Sequence, residues 1–326
     1  MKSFRFLVVT FAFFVAGQVN ADYSNNALAQ QFIQEMVEEE GFDPGELQRL
    51  FAQAEKRDSI INAMNRPAEK VLTWGEYRKI FLRQARIDGG VDFWNRNKQV
   101  LSEAEARYGI PAQVIVAIIG VETLYGGNTG SYRVIDALST LAFDYPARAP
   151  FFRSELKEFL ILSREQEQSP LVLKGSYAGA MGLGQFMPSS YRAYAADYDN
   201  DGFIDIWNNE ADAIWSVANY LSRHGWSTGQ TIAHPAIVSG RPEETVLNQS
   251  LVPEHSLQRL REAGLQPAGT SLSPELMATA MLLEGDDGDE YWIGMHNFYV
   301  ITRYNHSSLY AMAVFQLAEE IREHKR

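Results

Sequence analysis

Glu122 stands near the end of an unusually apolar run, Pro111-Ala-Gln-Val-Ile-Val-Ala-Ile-Ile-Gly-Val-Glu-Thr-Leu-Tyr-Gly-Gly127. Pro111 suits the first turn of a helix, and Gly126 and Gly127 suit its end. Between them Val114, Ile115, Val116, Ile118, Ile119 and Val121 leave almost no polar face, so the helix is expected to be buried on most sides. A carboxylate there is costly to ionise, because desolvation disfavours the charge and the negative end of the helix dipole pushes the same way. Held neutral near neutral pH, such an acid is ready to donate a proton. The same placement also suits a structural Glu bonded to a buried Arg or to a backbone amide.

A glycine-rich stretch follows, Gly175-Ser-Tyr-Ala-Gly-Ala-Met-Gly-Leu-Gly-Gln-Phe-Met-Pro-Ser-Ser-Tyr191. Its glycines permit close backbone approach to a ligand, and Ser176, Tyr177 and Gln185 supply neutral hydrogen-bonding groups. The Lys-Ser/Thr ending of a phosphate-binding loop is missing, and tight packing of loop against helix is the plain alternative. Next comes Asp197-Tyr-Asp-Asn-Asp-Gly-Phe-Ile-Asp-Ile-Trp-Asn208. Carboxylates at positions 1, 3, 5 and 9, glycine at 6 and a carbonyl at 7 match an EF-hand-like calcium loop. Asn208 replaces the bidentate Glu of position 12, and Asp212 or Glu210 could complete the shell. An acidic surface turn is the competing reading. Trp74, Tyr77, Tyr220, Tyr304, Asn305 and Tyr310 offer flat rings and amides suited to sugar faces, although each alone reads as readily as core.

The elements that must position these groups are mostly helical. Residues from about Ala27 to Ala106 show helical periodicity, as in Phe32-Ile33-Met36-Val37 and Leu47-Leu50-Phe51-Ala54. Residues 107–230 alternate helical runs with glycine-rich loops. From Thr231 to about Thr270 short apolar runs lie between Pro, Gly, Ser and Asn, which predicts a small strand-containing insertion. Residues 275–283 suggest a short helix, Tyr291 to Thr302 a strand or the approach to a helix, and about Ser308 to Glu323 a last helix. The expected fold is mainly α (α+β), divided at 22–106, 107–230, 231–290 and 291–326.

Residues 1–21 have the layout of a secretory signal, with a basic start, an apolar run over Phe6–Gly17 and small residues at Val19-Asn-Ala21. The run is short for a membrane span, which needs about 20 apolar residues. None of the 326 residues is Cys, so thiolate chemistry, disulfides and acylation of an N-terminal Cys are excluded. The expectation is a soluble periplasmic monomer without a membrane anchor. A formal charge of −12 with no basic stripe argues against nucleic acid as a partner.

Together these segments resemble the membrane-bound lytic transglycosylase B family of peptidoglycan enzymes. The resemblance runs from about Phe32 to the last helix. Its most specific parts are Gly120-Val-Glu-Thr, Asp136-Ala-Leu-Ser-Thr-Leu-Ala-Phe-Asp-Tyr-Pro146, Gly175-Ser-Tyr-Ala-Gly-Ala-Met-Gly, Gln185-Phe-Met-Pro-Ser-Ser and the acidic loop. It implies a lysozyme-like core flanked by a helical domain and a small β-containing one. It also implies cleavage of the β-1,4 bond between N-acetylmuramic acid and N-acetylglucosamine without water, leaving 1,6-anhydromuramyl ends. The resemblance puts the catalytic acid/base on Glu122 and saccharide contacts on Tyr77, Ser176, Gln185, Tyr220, Tyr304, Asn305 and Tyr310. It puts one structural calcium ion, and no organic cofactor, at Asp197, Asp199, Asp201, the Phe203 carbonyl and Asp212. The chain departs from the family in the stretch between Trp207 and Asp212, one residue longer, and in lacking the lipoprotein Cys, so membrane attachment is not carried over.

Most glycosidases use two carboxylates. Asp136 and Asp144 are the nearest motif carboxylates to Glu122 in sequence, and both read as structural, capping or pairing with Arg133 or Arg148. One Glu suffices when the muramyl N-acetyl group and C6 hydroxyl of the substrate do the rest. A lysozyme-type hydrolase using the same Glu and a non-catalytic, calcium-dependent peptidoglycan-binding protein are the competing functions.

Overall fold

The computed structural model describes residues 22–65 and 72–325. The export segment expected over residues 1–21 lies outside them. Six helices open the described chain, Ala27–Glu40, Pro44–Phe51, Asp58–Met64, Trp74–Phe81, Gln84–Arg96 and Lys98–Tyr108. Their starts follow from local chemistry. Asn26 and Asp43 cap the first two with their side chains, Pro44 fills the first turn of the second, and Thr73 with Glu76 forms a capping box on the fourth.

The apolar run becomes the helix Ala112–Thr123, in which residues 114 to 120 are all buried. Helices Gln84–Arg96, Lys98–Tyr108, Glu210–Arg223 and Ser308–His324 surround it. Val134–Asp144 and Ala149–Glu165 pack on each other, and a two-stranded ribbon, Tyr132–Arg133 against Lys174–Gly175, pairs the chain entering the first with the chain leaving the second. One apolar core runs from Tyr23 to Ile321, so the first helices, the Glu122 helix and the last helix share it.

Residues 233–294 form an antiparallel five-stranded sheet in the order His255–Ser256, Met277–Glu284, Asp289–Gly294, Ala233–Val238, Leu265–Pro267. A separate small core of Val246, Leu257, Leu260, Leu265, Ala280 and Ile293 lies beneath it. The helix expected over 275–283 is instead the strand Met277–Glu284. Met-Ala-Thr-Ala-Met-Leu-Leu-Glu is rich in helix formers, but pairing of Thr279–Glu284 with Asp289–Gly294, and of Met277 and Ala278 with His255–Ser256, outweighs intrinsic preference. The ambiguous stretch 291–302 is both elements in turn, the end of the strand Asp289–Gly294 and then the helix His296–Thr302. Among the described residues no single helix is long and apolar enough to cross a membrane.

Candidate active site

Glu122 is the penultimate residue of its helix and is half-buried. The chain beyond it turns sharply, since Leu124, Tyr125 and Gly126 are all left-handed with φ of 52°, 58° and 90°. Two consecutive non-glycine residues in that region are strained by about 1–2 kcal/mol each. The turn is held from both sides. The Thr123 hydroxyl accepts from the Gly126 amide (3.1 Å) and donates to the Leu183 carbonyl (2.9 Å), and the Tyr125 hydroxyl donates to the Arg86 carbonyl (2.8 Å). Gly120 makes room for this arrangement, because a Cβ there would lie 2.5 Å from the Tyr125 hydroxyl oxygen. The glycine inside an otherwise apolar helix is thus a seat for an aromatic ring.

A cleft of about 460 Å³ opens beside Glu122, lined by residues 126–132, Ser176, Tyr177 and Gln185. Gln185 has φ of +51° and its amide donates to the carbonyls of Thr129 (3.1 Å) and Gly182 (3.0 Å), tying the two lining loops together. Gly182 is left-handed and lies so close to the Ile206 carbonyl that a Cβ would sit 2.5 Å from its oxygen. The Ser176 hydroxyl accepts from the Ala180 amide at 3.1 Å, closing its own turn. A larger hollow of about 710 Å³ lies against Phe42, Leu50 and Leu171, away from Glu122. It has size without this chemistry.

Three of the expected tyrosines, absent from the cleft's lining, form a cluster that reaches Glu122 through Tyr310. The Tyr310 hydroxyl donates to Glu122 Oε1 at 2.6 Å. Burial, and then the Glu122 charge, push the Tyr310 hydroxyl well above the usual phenol range, so it stays a donor. Tyr304 lies nearly parallel to Tyr310, with 10° between planes, and its hydroxyl donates to the Gly184 carbonyl. Tyr220 packs on Tyr304 with ring centroids 4.7 Å apart and donates to the Arg303 carbonyl. The hydroxyls of Tyr220 and Tyr304 are therefore spent on backbone carbonyls, that of Tyr304 on the residue before Gln185. Tyr77 is buried on the helix Trp74–Phe81 with its ring 5.1 Å from that of Phe81, and Asn305 is half-buried beside Tyr304.

Glu122 is the one carboxylate among the described residues lining the cleft. Asp136 is buried and held by Arg133 (2.8 Å to each oxygen) and the Glu55 amide (2.9 Å). Asp144 accepts from Tyr23 (2.7 Å) and Lys56 (2.9 Å), whereas Arg148 lies over the rings of Phe151 and Phe152. Sequence reasoning missed Thr123 and the loop 126–132. The polar run Gly-Gly-Asn-Thr-Gly-Ser directly after an apolar helix was the available signal.

In the acidic loop, carboxylate oxygens of Asp197, Asp199 and Asp212 lie within 4.8 Å of one another. Asp212 is fully buried, and burial followed by the charges of Asp199 and Asp197 raises its pKa. Asp201 accepts from the Phe203 amide (2.8 Å) in the same loop but stands outside this trio. Glu210, the other residue considered for the shell, is engaged by Arg96 (2.8 Å) and by Asn97. Between Trp207 and Asp212, Asn209 caps the helix Glu210–Arg223 and donates to Asp199 at 3.1 Å.

Residues 24–319 match the family described as Transglycosylase SLT domain. The chain is 43% identical over 313 residues to membrane-bound lytic murein transglycosylase B of Escherichia coli (strain K12), covering 93% of this chain and 85% of that protein. Soluble lytic transglycosylase SltB1 of Pseudomonas aeruginosa superposes with a TM-score of 0.87 at 53% identity, covering 91% and 98% of the two chains. An Escherichia coli lytic transglycosylase solved in complex with calcium superposes with a TM-score of 0.86 at 43% identity, covering 94% and 96%. With a single carboxylate in its cleft and likeness along nearly its whole length, the chain belongs to the lytic transglycosylases of the SLT family.

Proposed function

We propose that this enzyme cleaves the β-1,4 bond between N-acetylmuramic acid and N-acetylglucosamine in peptidoglycan without water, leaving 1,6-anhydromuramyl ends. The observation that carries this reading is Glu122 as the lone carboxylate of the cleft. With Oε1 engaged by Tyr310, Oε2 carries the proton to the leaving oxygen. The substrate's N-acetyl group stabilises the cationic centre. Glu122, now a carboxylate, takes the proton of the C6 hydroxyl as that oxygen attacks C1, so the O–H proton returns to the acid and the glycosidic bond is replaced by an internal one. Internal attack has a high effective molarity and outruns water in an enclosed site. Ser176 and Gln185, which line the cleft, would contact the saccharide directly, Tyr310 would act through its bond to Glu122, and Tyr77, Tyr220, Tyr304 and Asn305 would complete the contacts. Mass spectrometry of digested peptidoglycan tests the reaction. Anhydro ends are lighter than reducing ends by one water, and reducing ends alone would make the enzyme a lysozyme-type hydrolase.

The trio of hard oxygen ligands in the acidic loop fits a calcium ion better than a softer metal. Asp197, Asp199 and Asp212 would hold it, with Asp201 and the Phe203 carbonyl beside them, and the ion would neutralise a crowded set of carboxylates. Its role is structural. Export through the residue 1–21 segment would deliver the mature protein to the periplasm as a soluble monomer; N-terminal sequencing after osmotic shock checks this, and intact Met1 in a detergent-requiring fraction would refute it.

A further inference from the structure

The small sheet stands apart from the cleft beside Glu122, yet its longest hairpin reaches the helix that carries Tyr77. Strands Met277–Glu284 and Asp289–Gly294 are joined by a tip in which the Gly285 amide donates to the Gly288 carbonyl at 2.9 Å. This tip touches the helix Trp74–Phe81 at the backbone, since a Cβ on Gly75 would lie 2.9 Å from the Asp286 amide nitrogen. Three residues beyond Gly75, the Arg78 guanidinium forks between two carboxylates of the hairpin. Nη1 donates to Glu290 (2.7 Å) and Nη2 to Asp286 (2.9 Å), while Lys79 pairs with Asp286 from the next position.

Glu290 faces two ways. Its other oxygen accepts from the Trp292 indole at 3.2 Å, and Trp292 meets Phe315 edge-on at 6.2 Å. Phe315 lies on the helix Ser308–His324, which also carries Tyr310. One carboxylate thus links the Tyr77 helix to the Tyr310 helix. The three charged partners are half-buried, where ion pairs are screened less than at a fully exposed surface. None of Arg78, Lys79, Asp286 and Glu290 lines the cleft.

We propose that the hairpin tip fixes the placement of Tyr77 against the saccharide, with Arg78, Asp286 and Glu290 as positioning residues for substrate binding. The inference rests on the reading of Tyr77 as a saccharide contact. Its test is steady-state kinetics on a soluble, uncross-linked peptidoglycan oligosaccharide, with Tm measured alongside. Arg78→Gln is expected to raise KM about three- to tenfold while kcat stays within about twofold. Arg78→Lys keeps the charge but not the fork and should fall between the wild type and Arg78→Gln. Glu290→Gln, which keeps size and polarity, serves if Arg78→Gln does not fold. In a Tyr77→Ala background Glu290→Gln should add nothing further to KM. Full additivity in that cycle, or an unchanged KM in Arg78→Gln and Glu290→Gln when Tyr77→Ala raises it, overturns the proposal and leaves the hairpin a structural staple. An unchanged KM in Tyr77→Ala itself instead removes the saccharide role of Tyr77, and the fault then lies with the functional reading.

Discussion

The Glu122 helix and the acidic loop treat carboxylates in opposite ways. On the helix one carboxylate stands alone, with apolar packing behind it and a protonated phenol on one oxygen. In the loop Asp197, Asp199 and Asp212 crowd within 4.8 Å, held there by backbone amides, as when Tyr198 and Asp205 donate to Asp212 at 2.9 and 2.8 Å. Isolation suits a group that must gain and lose a proton within each turnover. Crowding suits groups that share a cation, whose charge offsets the mutual repulsion that otherwise raises their pKa. On the functions proposed above, the same functional group would serve catalysis in one region and stability in the other.

That contrast breaks most easily at Glu122. Glu122→Gln should lower kcat by at least about a thousandfold while Tm moves by less than about 2 °C, since size and polarity are kept. Retention of more than a few per cent of activity would place the acid elsewhere. The loop should show the reverse pattern. At calcium about a hundredfold above its Kd the ion stabilises the fold by about 2.7 kcal/mol, so chelation should lower Tm and Asp199→Ala with Asp201→Ala should abolish the response. A melting curve indifferent to both calcium and chelator would reduce the loop to an acidic turn.

Two smaller effects sharpen the comparison. Tyr310→Phe removes the hydrogen bond to Glu122 but keeps the ring, and kcat should fall about tenfold with little change in Tm. Asp212→Asn should raise the Tm of the chelated protein by about 1–2 °C while weakening its response to calcium. The sign follows from the raised pKa of Asp212. An acid whose folded pKa lies above its unfolded value binds its proton more readily when folded, so without the cation stability falls as pH rises past 3.8 towards the folded pKa. A chelated Asp212→Asn protein that melts lower than the chelated parent would show that the buried charge is compensated by other means.

Much of the scaffold was legible because periodicity reports burial directly. The Glu122 helix, the helices before Ala106 and the last helix announce themselves by apolar spacing, and the structure adds the caps Asn26, Asp43 and Ser307. The strand Met277–Glu284 was hidden, because its residues favour a helix and only its partner strands make it extended. The cleft was legible in part. Ser176 and Gln185 stand in it, whereas the hydroxyls of Tyr220 and Tyr304 turn to backbone carbonyls that no spacing rule foretells. The left-handed pair Leu124 and Tyr125 was invisible for a similar reason, since the Leu183 and Arg86 carbonyls that hold the turn come from distant segments.

The hydrogen bond between Tyr310 and Glu122 joins residues 188 positions apart, across a core that gathers both ends of the described chain. An N-terminal fragment has the acid but not its phenol partner, and lacks the helix that packs on the back of the Glu122 helix. Synthesis therefore delivers the dangerous half of the site long before the half that completes it. The hydrogen bond between Tyr310 and Glu122 forms only when the helix Ser308–His324 docks on the Glu122 helix.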